Sequence, residues 1–134
     1  MKITIEELDV KDAEVGRKIK YLKKTYIIRD MIKKIADYEQ AMFARVGSDN
    51  EPTPEELMDF SLKDSKDTVK LVENIAEFIA GVLDKKQTKA FNEKIDNLEI
   101  ETLIGIFEQL STAIQIGDIE LNADSVAEAE SGKA

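Results

Sequence analysis

The sequence contains no cysteine and no histidine. Without thiols it has neither disulfides nor thiolate metal sites. Without imidazole it lacks Ser-His and Cys-His pairs, and it lacks the side chain that titrates closest to neutral pH. We therefore expect a non-enzymatic protein with no catalytic residue, no metal site and no cofactor.

Tryptophan is also absent, and aromatic residues make up only 6% of the chain. This composition gives little support for a surface that stacks bases or sugars. No apolar run approaches the roughly 18 residues that a membrane span needs. The first residues, MKITIEEL, lack the apolar segment of a signal peptide. The expectation is a soluble, cytoplasmic protein that does not contact membranes.

Carboxylates are abundant, since the chain has 28 Asp and Glu residues. Adjacent pairs such as Glu55-Glu56 follow from this number alone. A carboxylate site would need acids from different elements to converge, and no Glu-x-x-His motif or twelve-residue calcium loop is present. We therefore interpret these acids as solvated helix faces rather than as an active site.

The basic residues are concentrated in one segment. Residues 17–34 hold eight basic groups and one acid, a local charge of +7, whereas the whole chain carries −9 and the remainder therefore −16. Such a segment either docks an acidic partner or offsets the acidic body of its own fold. Because Arg17, Lys20 and Lys24 lie on several helix faces, the pattern disfavours nucleic acid. It favours docking onto the acid-rich part of a neighbouring copy.

Apolar residues recur at steps of three and four through most of the chain, which predicts an all-α fold. We expect a compact bundle of four to five helices with a long basic helix near the N-terminus, in a single domain over residues 1–117. The predicted helices span 17–46, 54–62, 67–83, 87–95 and 98–116. The polar residues 61–67 fit either a hinge or a continuous helix, and both alternatives stay open.

Several residues are typical of helix ends. Thr53, Pro54 and Glu56 form the pattern of a capping box with proline in the first helical position. Gly47 predicts the end of the first helix. Asp96 or Asn97 is expected to cap the last helix.

The two ends of the chain differ from this helical pattern. In residues 1–16 the alternation of Ile3 and Ile5 suits a short strand, whereas Thr4 and Glu7 fit a helical turn. We favour an extended start followed by a short helical or turn segment, and no second strand is evident. Residues 118–134 hold five acids and one base, and we expect a disordered acidic tail.

The long basic helix has more apolar surface than short neighbours over 54–62 and 87–95 would cover. Packing inside the bundle is the favoured use of that surface. Part of it would remain for a partner helix that binds in a groove.

Residues 71–117 carry a resemblance to a known family. The segment LVENIAEFIAGVLDKKQT is followed by two inward apolar residues and then by LEIETLIGIFEQLSTAIQIG. This arrangement resembles the small tail assembly chaperones of long-tailed phages of Gram-positive bacteria. The positions that carry the resemblance are Phe78-Ile79 with Val82, the turn Gln87-Thr88, and Leu98 with Ile104 and Phe107.

The resemblance implies a role in building the phage tail. Such proteins bind and solubilise the tape measure protein before the tail tube polymerises around it. They act in the host cytoplasm and are absent from the mature virion. The implied partners are the tape measure protein, further copies of the chain as a homo-oligomer, and a longer form of itself made by ribosomal slippage. Gly132-Lys133 would suit a slippery codon pair.

Six residues are candidates for partner binding or self-assembly. They are Lys20, Lys23, Lys24, Tyr26, Phe91 and Phe107. The alternative hypothesis is a helical adaptor or regulatory module that docks acidic protein or nucleic acid through residues 17–34.

Overall fold

Two antiparallel strands begin the fold, and four helices follow them. A computed structural model describes residues 2–116, without the side chain of Asp12. The elements are β1 Lys2–Ile5, β2 Val10–Glu14, α1 Ile19–Arg45, α2 Pro54–Val82, α3 Lys85–Lys94 and α4 Ile100–Ile116, with 3-10 turns at Glu6–Leu8 and Ile95–Asn97. The predicted helical bundle is confirmed in this coarse form, but the fold is mostly helical rather than all-α. The predicted tail over 118–134 lies outside the described residues.

The N-terminal hairpin was only half predicted. Strand β1 was the favoured start, but β2 was missed because its buried residues do not alternate in the sequence and Lys, Asp, Ala and Glu are weak strand formers. The strands pair Ile3 with Ala13 and Ile5 with Val10, with an irregularity between them. Asp9 turns the chain with φ 53°, a left-handed conformation that aspartate tolerates better than most residues.

Helices α1 and α2 form the long antiparallel pair of the fold. Gly47, with φ 75°, follows the end of α1 as predicted. The capping box is also confirmed, since the Thr53 hydroxyl accepts the Glu56 N–H at 3.1 Å and the Thr53 N–H donates to Glu56 Oε1 at 3.2 Å. The predicted helices 54–62 and 67–83 are one helix, because no glycine or proline interrupts residues 61–67 and Lys63 pairs with Asp67 across one turn.

The last two helices begin at residues other than those predicted. Helix α3 begins at Lys85 rather than Gln87, because Asp84 caps it and Gln87 closes a second capping box. Helix α4 was expected to follow Asp96 or Asn97, but Leu98 has extended backbone. The first turn of α4 closes when the Leu103 N–H donates to the Glu99 carbonyl.

The core lies where the hairpin, α3 and α4 meet the start of α1 and the end of α2. Phe78 is central, with ring centroids 5.5 Å from Phe107 and 6.3 Å from Tyr21. Ile5 and Leu8 bring the hairpin into the same apolar cluster. The core therefore occupies one end of the long helix pair, which leaves the other end without comparable cover.

Candidate protein-interaction site

Residues 39–65 form a two-helix arm that extends beyond the core. It consists of the end of α1, the connecting loop and the start of α2. Pro52 in the loop is buried, but no other apolar side chain of this segment is, in contrast to the five buried apolar residues in the second half of α2. At 1.5 Å per helical residue, the part of α1 in the arm, Glu39 to Arg45, is about 10 Å long.

The arm is held together by its own contacts. The rings of Tyr38 and Phe60 stack at 5.0 Å, and the Phe43 ring lies 6.4 Å from Phe60. Arg45 pairs with Glu56 at 2.7 Å and thereby joins the two helices near the loop. Hydrogen bonding to Arg45, and then to the Thr53 backbone, lowers the pKa of the Glu56 carboxyl. These contacts hold the arm in a defined conformation, although the arm is not part of the hydrophobic core.

Large apolar side chains are exposed along the arm. Phe43 is 64% exposed, Met58 67% and Leu62 66%, and Val46 and Leu57 are exposed as well. Phe43 continues the helical rhythm of Ile28, Ile32 and Ile35, the stripe of α1 that contacts the core. The apolar stripe therefore runs further than the side chains that cover it. Several large exposed apolar side chains in one short segment are typical of a binding site.

A groove lies at the base of the arm, between α1, α2 and the start of α4. Its cavity measures ≈ 610 Å³. Apolar side chains form most of its wall, namely Ile32, Ile35, Ala36, Val69, Leu71, Ile100 and Ile104. The same wall contains the carboxylates of Glu39, Asp64 and Glu101 and no lysine or arginine. We call this cavity the arm groove.

Among the described residues, no lysine or arginine lines the arm groove, although Lys63 lies near enough to interact with the charge of Asp64. Oδ1 of Asp64 is buried, and within residues 2–116 it has no hydrogen-bond partner. A buried carboxylate oxygen without a partner is destabilising. Within the same described part of the chain, no three acidic side chains lie close enough together to hold a metal ion.

In the fold, some basic residues of segment 17–34 contact other elements and others face outward. Lys24, a candidate residue, lies against α2, where its ammonium group donates to Asn74 Oδ1 at 2.8 Å and lies 3.6 Å from Glu77. Arg29 bonds Ser111 at 2.8 Å on α4. Arg17 donates from Nε to the Ile114 carbonyl at 2.8 Å. These three cations fasten α1 to the rest of the fold.

The other candidates on α1 point outward. Tyr26 is 73% exposed and Lys20 and Lys23 are exposed, together with Ile19 and Ile27. These five residues, which recur at helical spacing, are named the outer face of α1. Ile19 and Tyr26 lie on the side of α1 opposite Ile28, so the stripe of α1 that contacts the core does not include them. No ion pair or hydrogen bond joins Lys23 to another described residue.

Phe91 and Phe107 are core residues. Both side chains are 0% exposed, and Phe107 packs against Phe78. A side chain without exposed surface cannot meet a partner in the folded protein, so we remove these two residues from the candidate surface. The residues that sequence reasoning missed are in the arm groove, above all Glu39 and Asp64. Their only signal was an acid within an otherwise apolar helical stripe.

Comparison with protein families, with curated proteins and with solved structures found no match to this chain. Among the described residues, no helix is long and apolar enough to cross a membrane. The site is therefore interpreted from its own geometry.

Proposed function

We propose that this protein is a non-enzymatic tail assembly chaperone that binds and solubilises the tape measure protein of a long-tailed phage. One observation carries the proposal, namely the exposed apolar side chains of the arm beyond the start of α4. A chaperone for a long amphipathic chain needs an apolar surface that the client covers and leaves again. The family resemblance of residues 71–117 supports the same role.

The way helix α4 packs on the two long helices indicates what kind of ligand the arm would bind. It packs against both α1 and α2 and reaches the arm groove through Ile100 and Ile104. Beyond Ile100 the two long helices continue without a third helix from residues 2–116. A client helix with apolar residues at i, i+3 or i+4, and i+7 would continue this packing over Phe43, Leu57 and Met58.

The charge of the arm adds a second requirement for the client. Residues 39–65 contain seven acids and two bases, a net charge of −5. A client helix with lysine or arginine beside its apolar stripe would complement Glu39 and Asp64. Contacts of this kind are weakened by salt, which favours release of the client.

Co-expression with fragments of a tape measure protein tests the proposal. The intact chaperone should raise the soluble fraction of a helical fragment, and the double variant Leu57→Ser/Met58→Ser should abolish this gain. Gln40→Ser is the matched control, because it changes an exposed polar residue of the same arm. If the double variant folds, by circular dichroism, and still solubilises the fragment, the arm is not the client site. If the intact protein gives no gain with both partners well expressed, the function itself is wrong.

A second candidate is the adaptor that docks acidic protein or nucleic acid through residues 17–34. The exposure of Lys20 and Lys23 favours it. Against it, Arg17, Lys24, Arg29, Lys33 and Lys34 are all engaged within the described fold. DNA binding that falls steeply with salt and is lost in Lys23→Glu would favour the adaptor over the chaperone.

A further inference from the structure

Lys23 is a cation set among apolar side chains. On one side of α1, Ile19 lies one turn before it, and Tyr26 and Ile27 lie one turn after it. Ile19 is 71% exposed, so the apolar surface around Lys23 is open. Lys20 is its fourth helical neighbour, so three of the four neighbours are large apolar residues. An exposed lysine with such neighbours is suited to insertion into an apolar, acidic cavity.

The arm groove has the complementary composition. Its wall is apolar and holds Glu39, Asp64 and Glu101, and one oxygen of Asp64 is buried without a partner among the described residues. The outer face of α1 offers apolar side chains around a cation, and the groove offers apolar side chains around carboxylates. The two surfaces therefore match in both charge and hydrophobicity.

We infer that the outer face of α1 of one copy docks into the arm groove of a second copy, with the Lys23 ammonium group facing the carboxylates of Glu39 and Asp64. The inference does not rest on the proposed function, because it needs only the two surfaces of this chain. It extends that function, because a docked copy covers the groove when no client is present.

One chain cannot make this contact with itself. Lys23 and Glu39 are 16 residues apart on α1. At 100° and 1.5 Å per residue this places them about 160° apart around the helix and about 24 Å apart along it. The contact joins two different surfaces, so each copy keeps one free groove and one free outer face. Such heterologous association continues into a closed ring or an open filament.

The second copy is favoured over the other segment of this chain that lies outside the described structure. Residues 118–134 carry five acids and one base, the same sign of charge as the groove. Like charges at an interface are unfavourable, so this segment does not supply the missing cation. The outer face of α1 supplies both the cation and the apolar surface.

A charge exchange on the full-length protein tests the contact, with mass measured by sedimentation velocity over a range of concentrations. Lys23→Glu and Glu39→Lys should each raise the dissociation constant for self-association about tenfold or more. The double variant Lys23→Glu/Glu39→Lys should associate again, because the charges are exchanged and the pair is kept. Lys89→Glu is the matched control, since Lys89 is exposed on α3 away from both surfaces.

Each outcome decides the inference. Loss of association in both single variants and recovery in the double variant would support it. A monomeric wild type would overturn it. Single variants that associate as the wild type does would also overturn it and would indicate another contact, such as arm against arm. Loss without recovery would also overturn it, provided that circular dichroism shows folded variants. Client solubilisation should persist in Lys23→Glu, so failure here is distinct from failure of the proposed function.

Discussion

The two ends of the long helix pair have the same secondary structure and different cover. At one end α1 and α2 pack with the hairpin, α3 and α4, and side chains such as Ile28, Ile75 and Phe78 are buried. At the arm the same two helices keep apolar residues, but no other element of the described chain packs on them as a third layer. Apolar periodicity is therefore not evidence of burial. The position where α4 starts determines which part of the stripe becomes core and which part becomes surface.

The largest difference in stability between core variants and arm variants should appear when aromatic residues of the core are truncated. Phe107→Ala should lower the free energy of unfolding by about 3–5 kcal/mol, because it removes a buried ring in contact with Phe78 and leaves a cavity. Urea unfolding followed by circular dichroism measures this. Phe107→Leu is the control and should cost clearly less. A loss under about 1 kcal/mol for the alanine variant would contradict the assignment of Phe107 to the core.

A moderate effect is expected at the start of the arm's second helix. Thr53→Ala should cost about 1 kcal/mol, because it removes the hydroxyl that accepts the Glu56 N–H. Hydrogen exchange should show faster exchange in the first turn of α2 and unchanged protection around Ile75. Thr53→Ser keeps the hydroxyl and should behave as the wild type. Uniform loss of protection would mean that arm and core unfold as one unit.

Acid should loosen the arm because it breaks the ion pair between Arg45 and Glu56. Described parts of the fold without a comparable ion pair should respond later. Arg45 lowers the pKa of Glu56 below its ordinary value of 4.5. Because the folded-state pKa is the lower one, the stabilisation is complete above pH 4.5 and is lost as the pH falls through the folded value. Amide chemical shifts of the arm, followed from pH 6 to pH 2.5, should report this change. Glu56→Gln should remove this titration step, and its persistence would assign the step to another carboxyl.

The smallest effect on stability should come from the exposed residues of the arm. Met58→Ala should change the free energy of unfolding by less than about 0.5 kcal/mol, because most of the side chain is already in water. The same substitution should weaken client binding. A large loss of stability would show that Met58 packs against further structure in solution, for example a second copy.

Local rules predicted the parts of the fold that depend on neighbouring residues. Thr53 with Glu56 fixed the start of α2, and Gly47 fixed the end of α1, because capping depends on hydrogen bonds within one turn. Strand β2 could not be found in this way, since its burial depends on helices that come later in the chain. The burial of Phe91 and the exposure of Tyr26 likewise depend on where α3 and α4 lie in space. Neither position is encoded in the local pattern.

The sequence predicted the charges that would take part in a contact, but it did not predict where the candidate site lies in the fold. The excess of basic groups in residues 17–34 and of acids elsewhere suggested contact between copies. It did not reveal that Lys24 is bound by Asn74 while Lys23 remains outward, because the two are adjacent in sequence and differ only in the side of α1 on which they lie. The arm groove was invisible, since Glu39 and Asp64 come together only through the antiparallel pairing of α1 and α2.

The bonds from Arg17 to α4 also bear on synthesis of the chain. Arg17 donates to the carbonyls of Ile114 and Gln115, residues 97 and 98 positions later. These carbonyls belong to the last residues of α4 that the structure describes. The hairpin and the start of α1 therefore leave the ribosome before their partners in α4 exist. The contacts between these segments close only after residue 115 has emerged from the ribosome.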